Sequence, residues 1–136
     1  MTQQILHLPV EQTIIVPSTK DFNRQITHGE MNMRVNAVRK FFSQNYGGYT
    51  SVKGSGGYYS DSKNKLVSEG VVKVTGFSSK SAYAKNSNKL QKQIRAWGRK
   101  WKQESVGYER EGDLYIYNTE TDMIEKKVKK ARGKYI

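Results

Sequence analysis

Residues 66–108, LVSEGVVKVTGFSSKSAYAKNSNKLQKQIRAWGRKWKQESVGY, hold the strand–helix–strand pattern that decides the fold. Between Leu66 and Phe77 the residues are β-prone, and side chains two apart would share one face of a strand. A helix is predicted next, from about Ser81 to Glu104, because its apolar residues recur every three or four positions. Those residues are Leu90, Ile94, Trp97 and Trp101. Val106 to Tyr108 is strand-like again.

The preceding half of the chain shows the same order of elements. The β-branched run from Thr13 to Val16, closed by Pro17, predicts a first strand. The spacing of Thr27 and Glu30 is that of a capping box, and it predicts a helix over about residues 30–44. That helix would end before Gly47 and Gly48, since a left-handed residue commonly closes a helix.

A β-hairpin joins the two halves. Residues 49–59 are β-prone and pair with residues 66–77 through a turn at residues 61–64. Glycines at positions 54, 56 and 57 suggest that the first of these strands is broken by a bulge or bend. They lack the sequence of a nucleotide-binding P-loop.

The order strand, helix, strand, strand, helix, strand predicts an α+β fold, a ferredoxin-like βαββαβ two-layer sandwich. Two helices would cover one face of a four-stranded antiparallel sheet. The helices would bury Val35, Val38, Phe42, Leu90, Ile94 and Trp97. Residues 1–136 form one domain, with an arm at 1–12, a core at 13–118 and a basic hairpin or tail at 119–136. Residues 106–108 and 114–117 form either one long bulged strand or two short strands.

Three short segments carry a resemblance to known proteins. They are IVPST at 15–19, YGGYT at 46–50 and GSGGYY at 54–59. The chain resembles, over about residues 13–117, small uncharacterised proteins of microbes and their mobile elements. The resemblance implies the same ferredoxin-like pattern, with a Trp-containing helix before the last strand, and it implies no activity.

The chain is strongly basic, with 24 Lys and Arg against 12 Asp and Glu and a formal net charge of +12. Between Lys80 and Lys102 there is no acidic residue. Such a one-signed surface predicts contact with a polyanion, so the leading prediction is a non-catalytic nucleic-acid-binding protein. The predicted phosphate contacts are Lys85, Lys89, Lys92, Arg95, Arg99, Lys102, Lys126, Lys127, Lys129 and Lys130. Tyr49, Tyr58 and Tyr59 are predicted to stack on bases.

Two alternative functions stay open. One is a metal-dependent nuclease, in which Glu69, Lys73 and Asp61 would hold Mg²⁺ and contact the scissile phosphate. The other is a homo-oligomeric module that binds an acidic partner or a small anionic ligand. His7 and His28 lie in different segments, so no paired-histidine site is predicted. The leading prediction assigns no catalytic residue, no metal ligand and no cofactor.

Composition also predicts a location and partners. There is no cysteine, and the first ten residues match neither a signal peptide nor a membrane span. We therefore expect a cytoplasmic protein without a membrane partner. Its expected partners are DNA or RNA, and a second copy that pairs through the open face of the sheet.

Overall fold

The computed structural model describes residues 5–21 and 24–119, which form seven strands and two helices. In chain order they are β1 (Val10–Pro17), β2 (Thr19–Lys20), β3 (Arg24–Gln25), α1 (His28–Tyr46), β4 (Thr50–Ser60), β5 (Lys65–Ser78), α2 (Lys80–Lys100), β6 (Ser105–Arg110) and β7 (Asp113–Asn118). The prediction of an α+β fold is confirmed.

The main sheet has the strand order β4-β5-β1-β6-β7, and every neighbouring pair is antiparallel. Within the sheet, the four neighbouring strands β4-β5-β1-β6 follow the order expected from two interleaved βαβ units. The predicted count of four strands is wrong, because β6 and β7 are separate. Glu111 and Gly112 join them and both have positive φ, which suits the tight turn of a two-residue hairpin.

Helix α1 begins and ends within two residues of the prediction, whereas α2 begins within one residue of it and ends four residues before the predicted Glu104. The hydroxyl of Thr27 accepts a hydrogen bond from the backbone N–H of Glu30 at 3.1 Å, as the capping box requires. Gly47 closes α1 with a φ of 100°. The hydroxyl of Ser79 caps α2 by accepting from the N–H of Ala82 at 3.1 Å. Local side-chain chemistry therefore fixes both helix starts.

The core lies between one face of the sheet and the two helices. The sheet contributes Ile14, Val16, Val74, Val106 and Tyr108. The six helix residues predicted to be buried are all in this core. Trp97 and Trp101 stack with their rings 5.7 Å apart, so they pack α2 into the fold rather than face a ligand.

Gly98 and Gly57 are among the glycines that let backbone and side chains approach closely. A Cβ at Gly98 in α2 would lie 1.9 Å from the Thr119 side chain, so glycine is needed where the end of β7 crosses the helix.

In β4 the predicted break is absent, because β4 pairs with β5 at every residue from Thr50 to Ser60. A Cβ at Gly57 would lie 2.5 Å from the carbonyl oxygen of Val67.

The second face of the main sheet is not covered by α1 or α2. Strand register places Val52, Tyr58, Glu69, Phe77 and Leu114 on this face. Neither α1 nor α2 is long and apolar enough to cross a membrane.

Candidate functional site

A cavity of about 620 Å³ lies where the uncovered face of β4 and β5 meets the segment after α2. Its walls come from five separate parts of the chain. The lining residues are Asp21, Tyr58, Glu69, Arg99, Lys102, Gln103, Glu104, Ser105 and Thr119. This volume is within the range that binds small molecules and cofactors.

Glu69 lies at this cavity because of its position in β5. The residue opposite it on β4 is Gly56, which has no side chain to cover the carboxylate. The Thr19 hydroxyl donates a hydrogen bond of 2.6 Å to Oε2 of Glu69. A half-buried carboxylate is thus held in one direction at the cavity wall.

Tyr58 supplies an aromatic ring beside Glu69. It pairs with Val67, two residues before Glu69, so Tyr58 and Glu69 are diagonal neighbours on one sheet face. The Tyr58 side chain is 45% exposed. An exposed ring on a flat strand can stack on a planar base or lie against a cation.

The segment after α2 forms the opposite wall, and hydrogen bonds to backbone carbonyls fix its course. Lys102 has a positive φ of 55°, and its carbonyl accepts from the N–H of Asp21 at 3.2 Å. Nε2 of Gln103 donates to the Thr19 carbonyl at 2.6 Å and to the Trp101 carbonyl at 3.0 Å. The wall is therefore tied to the residues that follow β1.

Charge at the cavity differs from charge over the whole chain. Three acidic residues and two basic residues line it, although basic residues outnumber acidic ones by 24 to 12 overall. The acids are Asp21, Glu69 and Glu104, and the bases are Arg99 and Lys102. A cleft with both signs suits a small ligand that itself carries positive and negative groups.

The residues that the structure describes include no group of three or more His, Cys, Asp or Glu side chains that could hold a metal ion. The predicted nuclease set is also not assembled as expected. Lys73 pairs with Glu109 at 2.9 Å, whereas Glu69 bonds to Thr19, and Asp61 lies in the β4–β5 turn. The arrangement of Glu69, Lys73 and Asp61 therefore gives no support to a metal-dependent nuclease.

The predicted cationic residues divide into four groups. Arg99 and Lys102 line the cavity, while Lys85 and Lys92 are exposed on α2. Lys89 and Arg95 contact their own chain, since Nζ of Lys89 donates to Oδ1 of Asn45 at 3.0 Å and Arg95 lies over the Tyr117 ring. The predicted tail contacts Lys126, Lys127, Lys129 and Lys130 lie outside the described residues.

The three predicted stacking tyrosines lie in different surroundings. Only Tyr58 is among the described lining of the cavity. Tyr59 points to the other face of β4, where its hydroxyl donates to Oδ1 of Asn64 at 2.5 Å. Tyr49 lies beneath the Arg39 guanidinium, 5.2 Å from ring centre to carbon.

Sequence reasoning missed the part that Thr19, Gln103 and Asp21 play at this cavity. Thr19 and Glu69 are 50 positions apart in sequence, so no local spacing could have joined them. The available signal was Glu69 itself, the one acidic residue of strand β5.

No family model and no curated protein sequence matches the chain. Two solved structures of a phage SAM lyase are similar in fold. The one in complex with S-methyl-5'-thioadenosine is 20% identical, with a TM-score of 0.60 over 87% of this chain and 95% of that chain. The one in the apo state is 21% identical, with a TM-score of 0.56 over 88% of this chain and 98% of that chain.

These likenesses correct the predicted function. Both similar structures are enzymes, and one holds a small nucleoside thioether. The prediction of a non-catalytic nucleic-acid-binding protein is therefore wrong, and so is the prediction that a nuclease would be the alternative activity. The predicted DNA or RNA partner is wrong as well, because the ligand in the similar structure is a small molecule. The positive charge of the α2 surface was therefore not enough to identify the ligand.

Proposed function

We propose that this chain is an enzyme that cleaves S-adenosylmethionine (SAM) and releases methylthioadenosine, with the cavity beside Glu69 as its active site. The observation that supports this proposal is a cavity lined by a carboxylate and an exposed aromatic ring, in a fold similar to that of a SAM lyase. The similarity extends over nearly nine-tenths of this chain. The predicted cytoplasmic location is kept as part of this proposal.

The chemistry of the proposed reaction determines which bond must break. Methylthioadenosine keeps the methyl and adenosyl groups of SAM on sulfur, so the bond from sulfur to the amino-acid chain breaks. Its electron pair moves to sulfur, and the positive sulfonium becomes a neutral thioether. No water is consumed, because the amino-acid fragment that leaves sulfur either closes a lactone through its own carboxylate or loses a proton to form an alkene.

The charges lining the cavity match those of SAM. The substrate carries a sulfonium, an ammonium and a carboxylate. Glu69 supplies a negative charge for the positive groups, and Arg99 and Lys102 supply positive charge for the carboxylate. In a partly enclosed cleft such contacts are screened less than on an open surface. Fixing both ends of the amino-acid chain would orient the carbon–sulfur bond for cleavage.

Tyr58 is suited to the adenine ring. A base stacked on an aromatic side chain gains about 1–3 kcal/mol, and this contact tolerates any base. The ring lies on the same sheet face as Glu69, so one ligand of nucleoside size can reach both side chains.

The test compares Glu69→Gln with Glu109→Gln. Both are half-buried glutamates on the uncovered face of the sheet, but Glu109 pairs with Lys73 and is not among the described lining of the cavity. We expect Glu69→Gln to lower kcat/KM for methylthioadenosine release by at least about tenfold, the equivalent of one charge contact of roughly 1.4 kcal/mol. We expect Glu109→Gln to remain within about threefold of the parent on the same energy scale.

Liquid chromatography of SAM and methylthioadenosine measures both variants. Full activity of Glu69→Gln would contradict the assignment of this cavity as the active site. An equal loss in Glu109→Gln would mean that the effect comes from the sheet as a whole.

A further inference from the structure

A buried arginine lies directly behind the cavity wall. Arg34, in α1, is only 5% exposed, yet the described contacts give its guanidinium no ion pair within 4 Å. It donates instead to three backbone carbonyls, those of Pro17 at 2.7 Å, Thr19 at 2.8 Å and Trp101 at 3.0 Å. Its guanidinium carbon also lies 5.6 Å from the centre of the Trp101 ring.

Burying a guanidinium in this way is costly. Burial lowers the pKa of Arg34, and the charges of Glu30 and Glu69 act in the opposite direction. A methionine or leucine would fill such a space without the desolvation cost, but it would leave three carbonyls without these donors. The arginine therefore fixes irregular backbone between the end of β1 and the end of α2.

The same backbone carries a side chain of the candidate site. The Thr19 carbonyl accepts from Arg34 and also from Nε2 of Gln103, while the Thr19 hydroxyl donates to Glu69. Thr19 is 6% exposed, so this hydroxyl is enclosed by protein. Four segments, namely α1, β2, β5 and the residues after α2, thus meet through Thr19.

We propose that Arg34 and Thr19 are positioning residues for the cavity: Arg34 fixes the backbone of Thr19, and the Thr19 hydroxyl fixes the direction of the Glu69 carboxylate. This inference rests on the proposed function, because it assigns Glu69 to a reaction. Neither residue lines the cavity in the described structure, so both act through Glu69 rather than on a ligand. The buried charge of Arg34 thus serves to orient the Glu69 carboxylate.

This role predicts a particular kinetic signature. Thr19→Val keeps the shape of the side chain and keeps the charge of Glu69, but it removes the hydrogen bond. Substrate attraction should persist, whereas the orientation of the carboxylate should be lost. A small misplacement in an active site can cost up to about a hundredfold in rate. We expect kcat to fall about tenfold, while KM and the affinity for methylthioadenosine change by less than about twofold.

Thr19→Ser and Thr13→Val are the matched variants. Thr19→Ser retains the hydroxyl and should restore kcat to within about threefold of the parent, as a fixed carboxylate predicts. Thr13 is also 6% exposed, and its hydroxyl bonds to Thr75 at 2.7 Å, away from the cavity. Thr13→Val therefore loses a comparable hydrogen bond and should leave kcat unchanged.

Arg34→Lys tests the first part of the proposal, that Arg34 fixes the backbone of Thr19. Lysine keeps the charge but cannot reach three carbonyls with the fork of a guanidinium, so we expect the same loss of kcat without a matching rise in KM. Arg39→Lys is its control, because Arg39 contacts Tyr49 and Ser51 instead. If Arg34→Lys does not fold, the three threonine variants decide the question.

The experiment measures kcat, KM, methylthioadenosine affinity and thermal midpoint for the parent and each variant. If the parent does not cleave SAM, the proposed function fails and this inference fails with it. If the parent cleaves SAM and Thr19→Val is equally fast, only the positioning role is overturned. It is also overturned if Thr19→Ser is as slow as Thr19→Val, or if Thr13→Val loses kcat to the same degree.

Discussion

Hydrogen bonds of equal length lie near the two ends of strand β1 and serve different purposes. Near its start, Gln12 is fully buried and accepts from the Tyr108 hydroxyl at 2.6 Å. Just beyond its end, Thr19 donates to Glu69 at the same distance. The first bond lies inside the core, whereas the second ends at a carboxylate on a cavity wall. Such a hydrogen bond therefore has a functional role only where one of its partners lines a cavity, as Glu69 does.

The end of the molecule near Gln12, which we call the closed end, is rich in tyrosine. Its side chains are Gln12, Tyr83, Tyr108, Arg110 and Tyr115. The Arg110 guanidinium lies 5.3 Å from the Tyr83 ring and 4.9 Å from the Tyr115 ring, and it donates to both hydroxyls. None of these residues lines the cavity. We therefore expect substitutions there to change stability and leave the proposed reaction unaffected.

The largest expected effect is on stability at the closed end. Tyr108→Ala removes a 3% exposed aromatic ring and leaves the Gln12 amide without its partner. The free energy of unfolding should fall by about 3–5 kcal/mol, as for other large aromatic truncations in a core. Urea denaturation measures the loss, and methylthioadenosine release per folded molecule should stay the same. A loss below about 1 kcal/mol would show that this end is not tightly packed.

A smaller effect is expected on binding at the cavity end. Tyr58→Ala removes the proposed adenine contact, so methylthioadenosine affinity should fall about tenfold, within the range of about 1–3 kcal/mol for one stacked base. Stability should change by less than about 0.5 kcal/mol, because the ring is exposed. Tyr59→Ala is the control, since Tyr59 is the next residue of β4 and faces the other way. Isothermal calorimetry giving equal losses for both variants would contradict the proposed role of Tyr58.

The smallest effect is the response of stability to alkaline pH. Burial raises the pKa of Tyr46, Tyr108 and Tyr117 above the usual value of 10. These hydroxyls keep their protons in the folded protein but lose them in the unfolded chain. Stability is thus fully present below pH 10 and falls as the pH rises further. At pH 10, where half of the unfolded chains have lost the Tyr108 proton, the loss of stability from Tyr108 should be about 0.4 kcal/mol.

Thermal unfolding between pH 7 and 11 measures this response. Tyr108→Phe should make the decline shallower than in the parent, because one of the three raised groups is absent. A parent whose midpoint is constant up to pH 11 would contradict the burial of these hydroxyls.

Sequence reasoning worked where local patterns determine structure. The Thr27–Glu30 capping box and Gly47 gave the limits of α1, and the spacing of Leu90, Ile94 and Trp97 gave the buried side of α2. The extra strand β7 stayed open as an alternative, because its turn at Glu111 and Gly112 also fits a bulge.

The candidate site was mostly beyond reach of the sequence. Its walls join residues from five parts of the chain, and the contact between Thr19 and Glu69 depends on the crossing of separate elements. Charge counting also misled: the cations of α2 are mostly exposed as expected, but Arg99 and Lys102 line a cavity that has more acids than bases. A helix whose charges all have one sign therefore does not show by itself which ligand the protein binds.

The most direct test of the central claim is the fate of SAM incubated with the purified parent protein, followed by mass spectrometry. The account predicts that SAM disappears and that methylthioadenosine appears in equal amount, with Glu109→Gln behaving like the parent. Unchanged SAM, or release of S-adenosylhomocysteine in place of methylthioadenosine, would contradict it.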